Sequence, residues 1–179
     1  MKRIAFTGAQ GTGKTTILKM FENEGANVIT EVVRRLARKG IPINTDGTDE
    51  TQKAVFKAFG EELSQHISYI TDRCHVDALA YTKAQVARGK VGVDLFHTQL
   101  VEAAKFFEAN PDIVVCYFPI EFGVVDDGVR SADEDYRKEI DENIVDIMDT
   151  LGIDYVVITG TPEERFNQVQ RLLDVMMEA

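Results

Sequence analysis

The chain has 179 residues, 44% hydrophobic and 28% charged, with a formal net charge of −10. That is enough apolar material for one core, and the overall field repels nucleic-acid backbones and anionic lipid surfaces, which argues against nucleic acid as the main substrate and against a membrane partner. No apolar run is long enough to span a bilayer, the two cysteines form no C-x-x-C pair and the three histidines show no metal-ligand spacing, so a single cytoplasmic domain over residues 1–179 without disulfide scaffold or zinc site is expected.

Apolar runs at Ile4–Thr7, Val28–Thr30, Ile67–Thr71, Ile113–Phe118 and Tyr155–Ile158 predict five strands, with helical periodicity between them. Alternation of this kind implies an α/β fold with a mostly parallel five-stranded sheet and ligands bound beyond the strand C-terminal ends.

The first strand runs directly into GAQGTGKT, Gly8 to Thr15, which fits G-x-x-x-x-G-K-[ST]. Ile17, Leu18 and Phe21 follow at helical spacing, so the motif sits in the strand–loop–helix setting that it requires. Gly8, Gly11 and Gly13 let backbone N–H groups turn toward phosphate oxygens, and the helix N-terminus adds its positive end. Lys14 is then placed to reach the β and γ phosphates, and the Thr15 hydroxyl to ligate Mg²⁺. Thr12 and Thr16 complete the expected nucleotide-binding set, with ATP and Mg²⁺ as cofactors. A glycine turn that merely joins strand to helix would explain the glycines but neither Lys14 nor Thr15.

Glu31 ends the second predicted strand and Arg34 follows one turn later. On the ligand edge this pair reads as acceptor-facing, with Glu31 as base and Arg34 as a substrate contact; Glu31 opening a helix and favouring its dipole is an equal reading. The third strand ends at Asp72, which suits a water-mediated Mg²⁺ contact or a base, with Arg73 beside it free to touch a phosphate. Its competing reading is a helix N-cap, because Val76, Leu79, Ala80 and Ala84 follow at helical spacing.

Gly40–Glu50 and Pro119–Asp133 are the two long loop candidates. The second leads to Arg130 and Arg137, which suit a lid that neutralises charge on a transferring phosphoryl group. An intrahelical pair with Asp133 or Asp141 is the alternative for Arg137. Beyond them, Tyr136, Ile140, Ile144, Ile147, Met148 and Leu151 mark a helix stopped by Gly152, and Thr161-Pro162-Glu163-Glu164 is a capping-box start for a last helix.

The segments RIAFTGAQGTGKTTIL, ITEVVRRLA, DRCHVDALAYT and DDGVRSADEDYRKEIDENI, then LGIDYVVITGTPEERF, resemble the small P-loop ATPase and kinase family related to the nicotinamide riboside kinase domain. The most specific marks are the blocks Asp72–Tyr81 and Asp127–Arg130. The resemblance implies a three-layer P-loop NTPase fold of nucleoside and nucleotide kinase type. It further implies ATP-dependent phosphorylation of a nucleoside-like or nucleotide-like small molecule, and the residues themselves, as read above, supply Lys14, Asp72, Arg130 and Glu31 as the catalytic set. An ATPase or nucleotide-operated switch is the rival reading, and a kinase of nucleic-acid ends or bases is the third. The guanine motif N-K-x-D is absent, and the D-x-x-G at Asp149–Gly152 falls at a helix end rather than after a strand.

Overall fold

A computed structural model describes residues 2–41, 47–121 and 134–178. In chain order the elements are β1 (Arg3–Thr7), α1 (Lys14–Asn23), β2 (Val28–Ile29), α2 (Val32–Arg38), α3 (Asp49–Ser64), β3 (Tyr69–Asp72), α4 (His75–Ala87), α5 (Val93–Ala109), β4 (Ile113–Tyr117), α6 (Glu134–Leu151), β5 (Tyr155–Val157) and α7 (Pro162–Glu178). The strands form one sheet in the order β2-β3-β1-β4-β5, and every pairing is parallel.

The period of two along each strand sorts side chains into two cores. From β1 and β4, Ile4, Phe6, Cys116 and Phe118 face one side, where Ile17, Leu18 and Phe21 of α1 and Val169 and Leu173 of α7 cover them. Ala5, Val115 and Tyr117 face the other, beneath α3, α4 and α6, which bring Phe56, Phe59, Leu79, Ile140 and Ile144. The molecule is therefore a three-layer α/β sandwich. Both cysteines are buried and free.

Helix ends follow local chemistry. In α7 the Glu164 N–H donates to Thr161 Oγ1 at 3.3 Å and the Thr161 N–H to Glu164 Oε2 at 2.8 Å, the reciprocal capping box that the sequence predicts. Gly152, at φ 63, follows the last residue of α6. The N-cap of α4 is Cys74, whose N–H donates to the Asp77 carboxylate, so Asp72 does not cap that helix. The loop expected over Gly40–Glu50 gives way at Thr48, whose hydroxyl caps α3 by accepting from the Thr51 N–H. Residues 42–46 and 122–133 lie outside the described residues, and with them Arg130, Asp126, Asp127 and Asp133. Among the described residues no helix is long and apolar enough to cross a membrane.

Candidate functional site

β1 is the central strand, flanked by β3 and β4; the connection leaving β1 runs to β2 on one side, and the connection leaving β3 crosses to β4 on the other. This is the switch point at which parallel sheets bind ligands. The loop that leaves β1 there is Gly8–Gly13. Gly8 holds φ 143, and a Cβ on it would stand 2.4 Å from the Phe118 carbonyl oxygen, so no other residue fits between the loop and the end of β4. Gly13, in the left-handed region at φ 87, is the N-cap of α1.

Lys14 is 5% exposed. Its ammonium donates to the carbonyls of Gly8 and Ala9, both at 2.7 Å, and to Thr12 Oγ1 at 3.0 Å. Burial, then the neighbouring Arg73 cation, pulls its pKa down to about 7, and the carboxylates of Asp72, Asp77 and Asp141 oppose the shift. Thr12 is also buried and donates to Ala9 O at 3.1 Å. Thr15 and Thr16 lie in the first turn of α1.

Asp72 is the last residue of β3, opposite Phe6 of β1. Its Oδ1 is buried, and no described group donates to it. A carboxylate oxygen in that condition, one strand away from the helix turn bearing Thr15, fits a Mg²⁺–nucleotide complex.

Arg73, expected beside Asp72 as free to touch a phosphate, is engaged within the fold. Its guanidinium donates to Asp77 Oδ1 at 2.9 Å and Gly8 O at 3.4 Å and lies 5.5 Å from the centre of the Tyr81 ring. The reason is Asp77: its carboxylate is 1% exposed, burial pushes its pKa up, and Arg73 and Lys14 oppose that rise. A buried carboxylate needs a paired cation, and removing one partner of such a pair costs about 3–5 kcal/mol.

Glu31 stands two residues past β2, at the N-cap position of α2, without a side-chain capping bond. Its carboxylate is instead bridged by Arg34 at 2.6 Å and Arg38 at 2.9 Å, whose side chains are 61% and 71% exposed. Glu31 and Arg73 each follow the end of one of the paired strands β2 and β3. These two are the non-glycine residues with positive φ among those described, 68° and 77°. Uncommon backbone geometry thus falls on neighbouring strand ends at the proposed ligand edge, which no pattern in the sequence announces.

Two further arginines touch the loop. Arg137, a lid candidate with an in-helix pair to Asp133 or Asp141 as the alternative, is 1% exposed and donates through Nε to Gln10 O at 2.9 Å, with Glu134 at 3.4 Å as an in-helix partner. Asp141 is held by the Tyr117 hydroxyl at 2.7 Å. Arg165, 2% exposed, donates to Thr12 O at 2.5 Å and Gly160 O at 2.8 Å and pairs with Glu121. Its position four residues past the Thr161 cap, at the start of an otherwise amphipathic helix, is the sequence signal that could have singled it out.

Solved structures share this architecture. Deoxyadenosine kinase from M. mycoides, bound to the products dCMP and dCDP, matches with a TM-score of 0.68 at 17% identity, over 97% of this chain and 99% of that one. The NadR protein in complex with NR matches at a TM-score of 0.69 and 18% identity, over 89% of this chain and 46% of that one. In complex with NAD and AMP-PNP, NadR matches at a TM-score of 0.69 and 14% identity, over 95% and 49%. This chain spans about half the length of NadR. No curated protein matches it in sequence. Identities this low show a shared fold, that of P-loop nucleoside kinases, and a family model described as AAA domain matches residues 3–165. The chain belongs to that AAA domain family, as a P-loop protein of nucleoside-kinase-like fold.

Proposed function

We propose that the protein is an ATP-dependent phosphotransferase acting on the hydroxyl of a nucleoside-like or nucleotide-like small molecule. The observation that carries this reading is the convergence of Lys14, Asp72 and Glu31 on one sheet edge: a P-loop lysine, a carboxylate with an unused buried oxygen, and a second carboxylate one strand further out.

The loop Gly8–Thr16 holds the nucleotide phosphates, with Lys14 leaving its carbonyl partners for the β and γ oxygens. Thr15 and Asp72 would hold Mg²⁺, which would supply positive charge to the phosphates. Glu31 takes the proton that the attacking hydroxyl must lose, and Arg34, on an exposed face, contacts the acceptor. The names of the structural neighbours, a deoxyadenosine kinase and a protein bound to NR, support an acceptor of this size.

The deciding experiment is a screen of nucleosides, nucleoside monophosphates and nicotinamide riboside for ADP release from Mg²⁺-ATP. Release that rises with one acceptor, together with a phosphorylated product, is expected. ATP hydrolysis indifferent to every acceptor would replace this reading with an ATPase.

A further inference from the structure

The largest fully buried side chains are not apolar: they are those of Arg137 and Arg165. A buried guanidinium is costly unless its donors are satisfied, so what each one holds is informative. They come from different helices, α6 and α7, yet each donates to a carbonyl of the same short loop, Gln10 O at 2.9 Å and Thr12 O at 2.5 Å.

Those two carbonyls belong to the peptide groups whose N–H groups are those of Gly11 and Gly13. In a trans peptide the C=O and the following N–H point in opposite directions. A guanidinium that fixes the carbonyl therefore fixes the N–H on the far side. Arg165 is itself anchored: Gly160 O accepts from its Nε at 2.8 Å, and Glu121 pairs with its Nη2 while also accepting from the Gly160 N–H at 3.1 Å. The loops leaving β1, β4 and β5 thus meet on one side chain.

We propose that Arg137 and Arg165 are positioning residues of the phosphate site, which orient the Gly11 and Gly13 N–H groups toward the bound anion from behind the loop. The proposal rests on the reading of Gly8–Thr15 as a phosphate cradle. The two arginines act by geometry rather than by contact with the nucleotide, so their charge alone does not replace them: a lysine at either position keeps the cation but offers one ammonium in place of a fork with several fixed donors.

The test uses ¹⁵N-labelled full-length protein titrated with inorganic triphosphate and with Mg²⁺-ATP, for wild type, Arg165→Lys, Arg165→Met and Arg137→Lys. In wild type the Gly11 and Gly13 amide resonances shift on adding triphosphate. In Arg165→Lys the Gly13 shift shrinks while that of Gly11 persists, Arg137→Lys shows the reverse, and triphosphate affinity falls on the order of tenfold in each. Arg165→Met falls no further than about threefold below Arg165→Lys. Affinity restored to the wild-type value by lysine, or glycine shifts equal to wild type in both lysine variants, overturns the proposal. If the Arg165 variants do not fold, Glu121→Ala removes the carboxylate that anchors Arg165 and leaves the arginine. A reduced Gly13 shift in that variant supports the proposal, and an unchanged one overturns it. Wild-type protein that binds neither triphosphate nor ATP rejects the cradle reading itself, a result distinct from variants that bind as wild type does.

Discussion

The two halves of the ligand edge are built differently. On the β1 side, Lys14, Thr12, Arg137 and Arg165 are all buried, and each makes hydrogen bonds to main-chain carbonyls of the Gly8–Gly13 loop or its surroundings. On the β2 side, Glu31 meets Arg34 and Arg38, whose side chains are mostly exposed, and its bonds run between side chains. Main-chain anchoring costs little further entropy once the fold is made, whereas exposed ion pairs contribute about 0–1 kcal/mol each and rearrange readily. On the proposed function, the donor half is thereby fixed by the fold, and the acceptor half is left to side chains that substitution alters without disturbing the sheet.

This contrast predicts where chemistry and binding separate. Glu31→Gln keeps shape and hydrogen-bonding capacity but removes the base, so kcat drops roughly 10²–10⁴-fold. ATP affinity and melting temperature stay near wild type, because the residue contributes only exposed contacts. Steady-state kinetics with the acceptor found by screening, beside ATP titration, checks this. An unchanged kcat rejects Glu31 as base and passes the role to Asp72. Lys14→Ala loses a pre-organised electrostatic contact and lowers kcat about 10²–10³-fold. Here the effect does not depend on which acceptor is used, since the loss is on the donor half. A folded variant with near-normal turnover would sink the P-loop assignment.

The same contrast explains what can be read from the residues alone. GAQGTGKT announces itself because a phosphate loop is contiguous, and Thr161 with Glu164 announces a helix start because a capping box spans four residues. Helix α3 was also written there, in Val55, Phe56, Phe59 and Leu63 at helical spacing, but Gly40–Glu50 looks like a loop and masks its start at Thr48. Arg137 and Arg165 are another matter. They reach carbonyls 127 and 153 residues away in sequence, and an arginine that donates to a distant main chain leaves no local pattern. The commitment of Arg73 to Asp77 has a local i,i+4 spacing, yet only the burial of Asp77 decides that it is structural. Positive φ at Glu31 and Arg73 is likewise set by the chain path at the strand ends, without a glycine to mark it.

The layer over the β2 and β3 side has its own buried titratable group, which extends the comparison to acid pH. His75 is 3% exposed and packs against Phe56 and Phe106, with ring centres 4.8 and 4.2 Å away. Burial lowers its pKa from 6.5 to about 4. Between those values the unfolded chain binds a proton that the folded chain refuses. Stability from neutral His75 is therefore complete above pH 6.5 and is lost as the pH falls toward 4, by about 3 kcal/mol in all. Denaturant unfolding from pH 7 to pH 4 should show this loss in wild type beyond that of His75→Phe. Parallel pH profiles for the two proteins would show that His75 is not held neutral.

Alkaline pH acts on the other half, through Lys14. In the nucleotide-free fold its pKa is about 7, because burial and the Arg73 cation outweigh the surrounding carboxylates. A triphosphate placed at its ammonium favours the charged form and raises that pKa. Below pH 7 the lysine is already protonated, so binding takes up no proton and affinity is insensitive to pH through this group. Above pH 7 the free protein must gain a proton to bind, and affinity falls as the pH rises until the pKa of the bound state is reached. For a bound-state pKa above 9, the fall between pH 7 and pH 8 is roughly fivefold. Calorimetric titration of Mg²⁺-ATP at pH 8 in buffers of different ionisation enthalpy measures the proton uptake directly, and close to one proton per nucleotide is expected. No uptake at pH 8 would mean that the ammonium is already charged in the empty loop, and that the carbonyls of Gly8 and Ala9 with the nearby carboxylates hold its proton against burial.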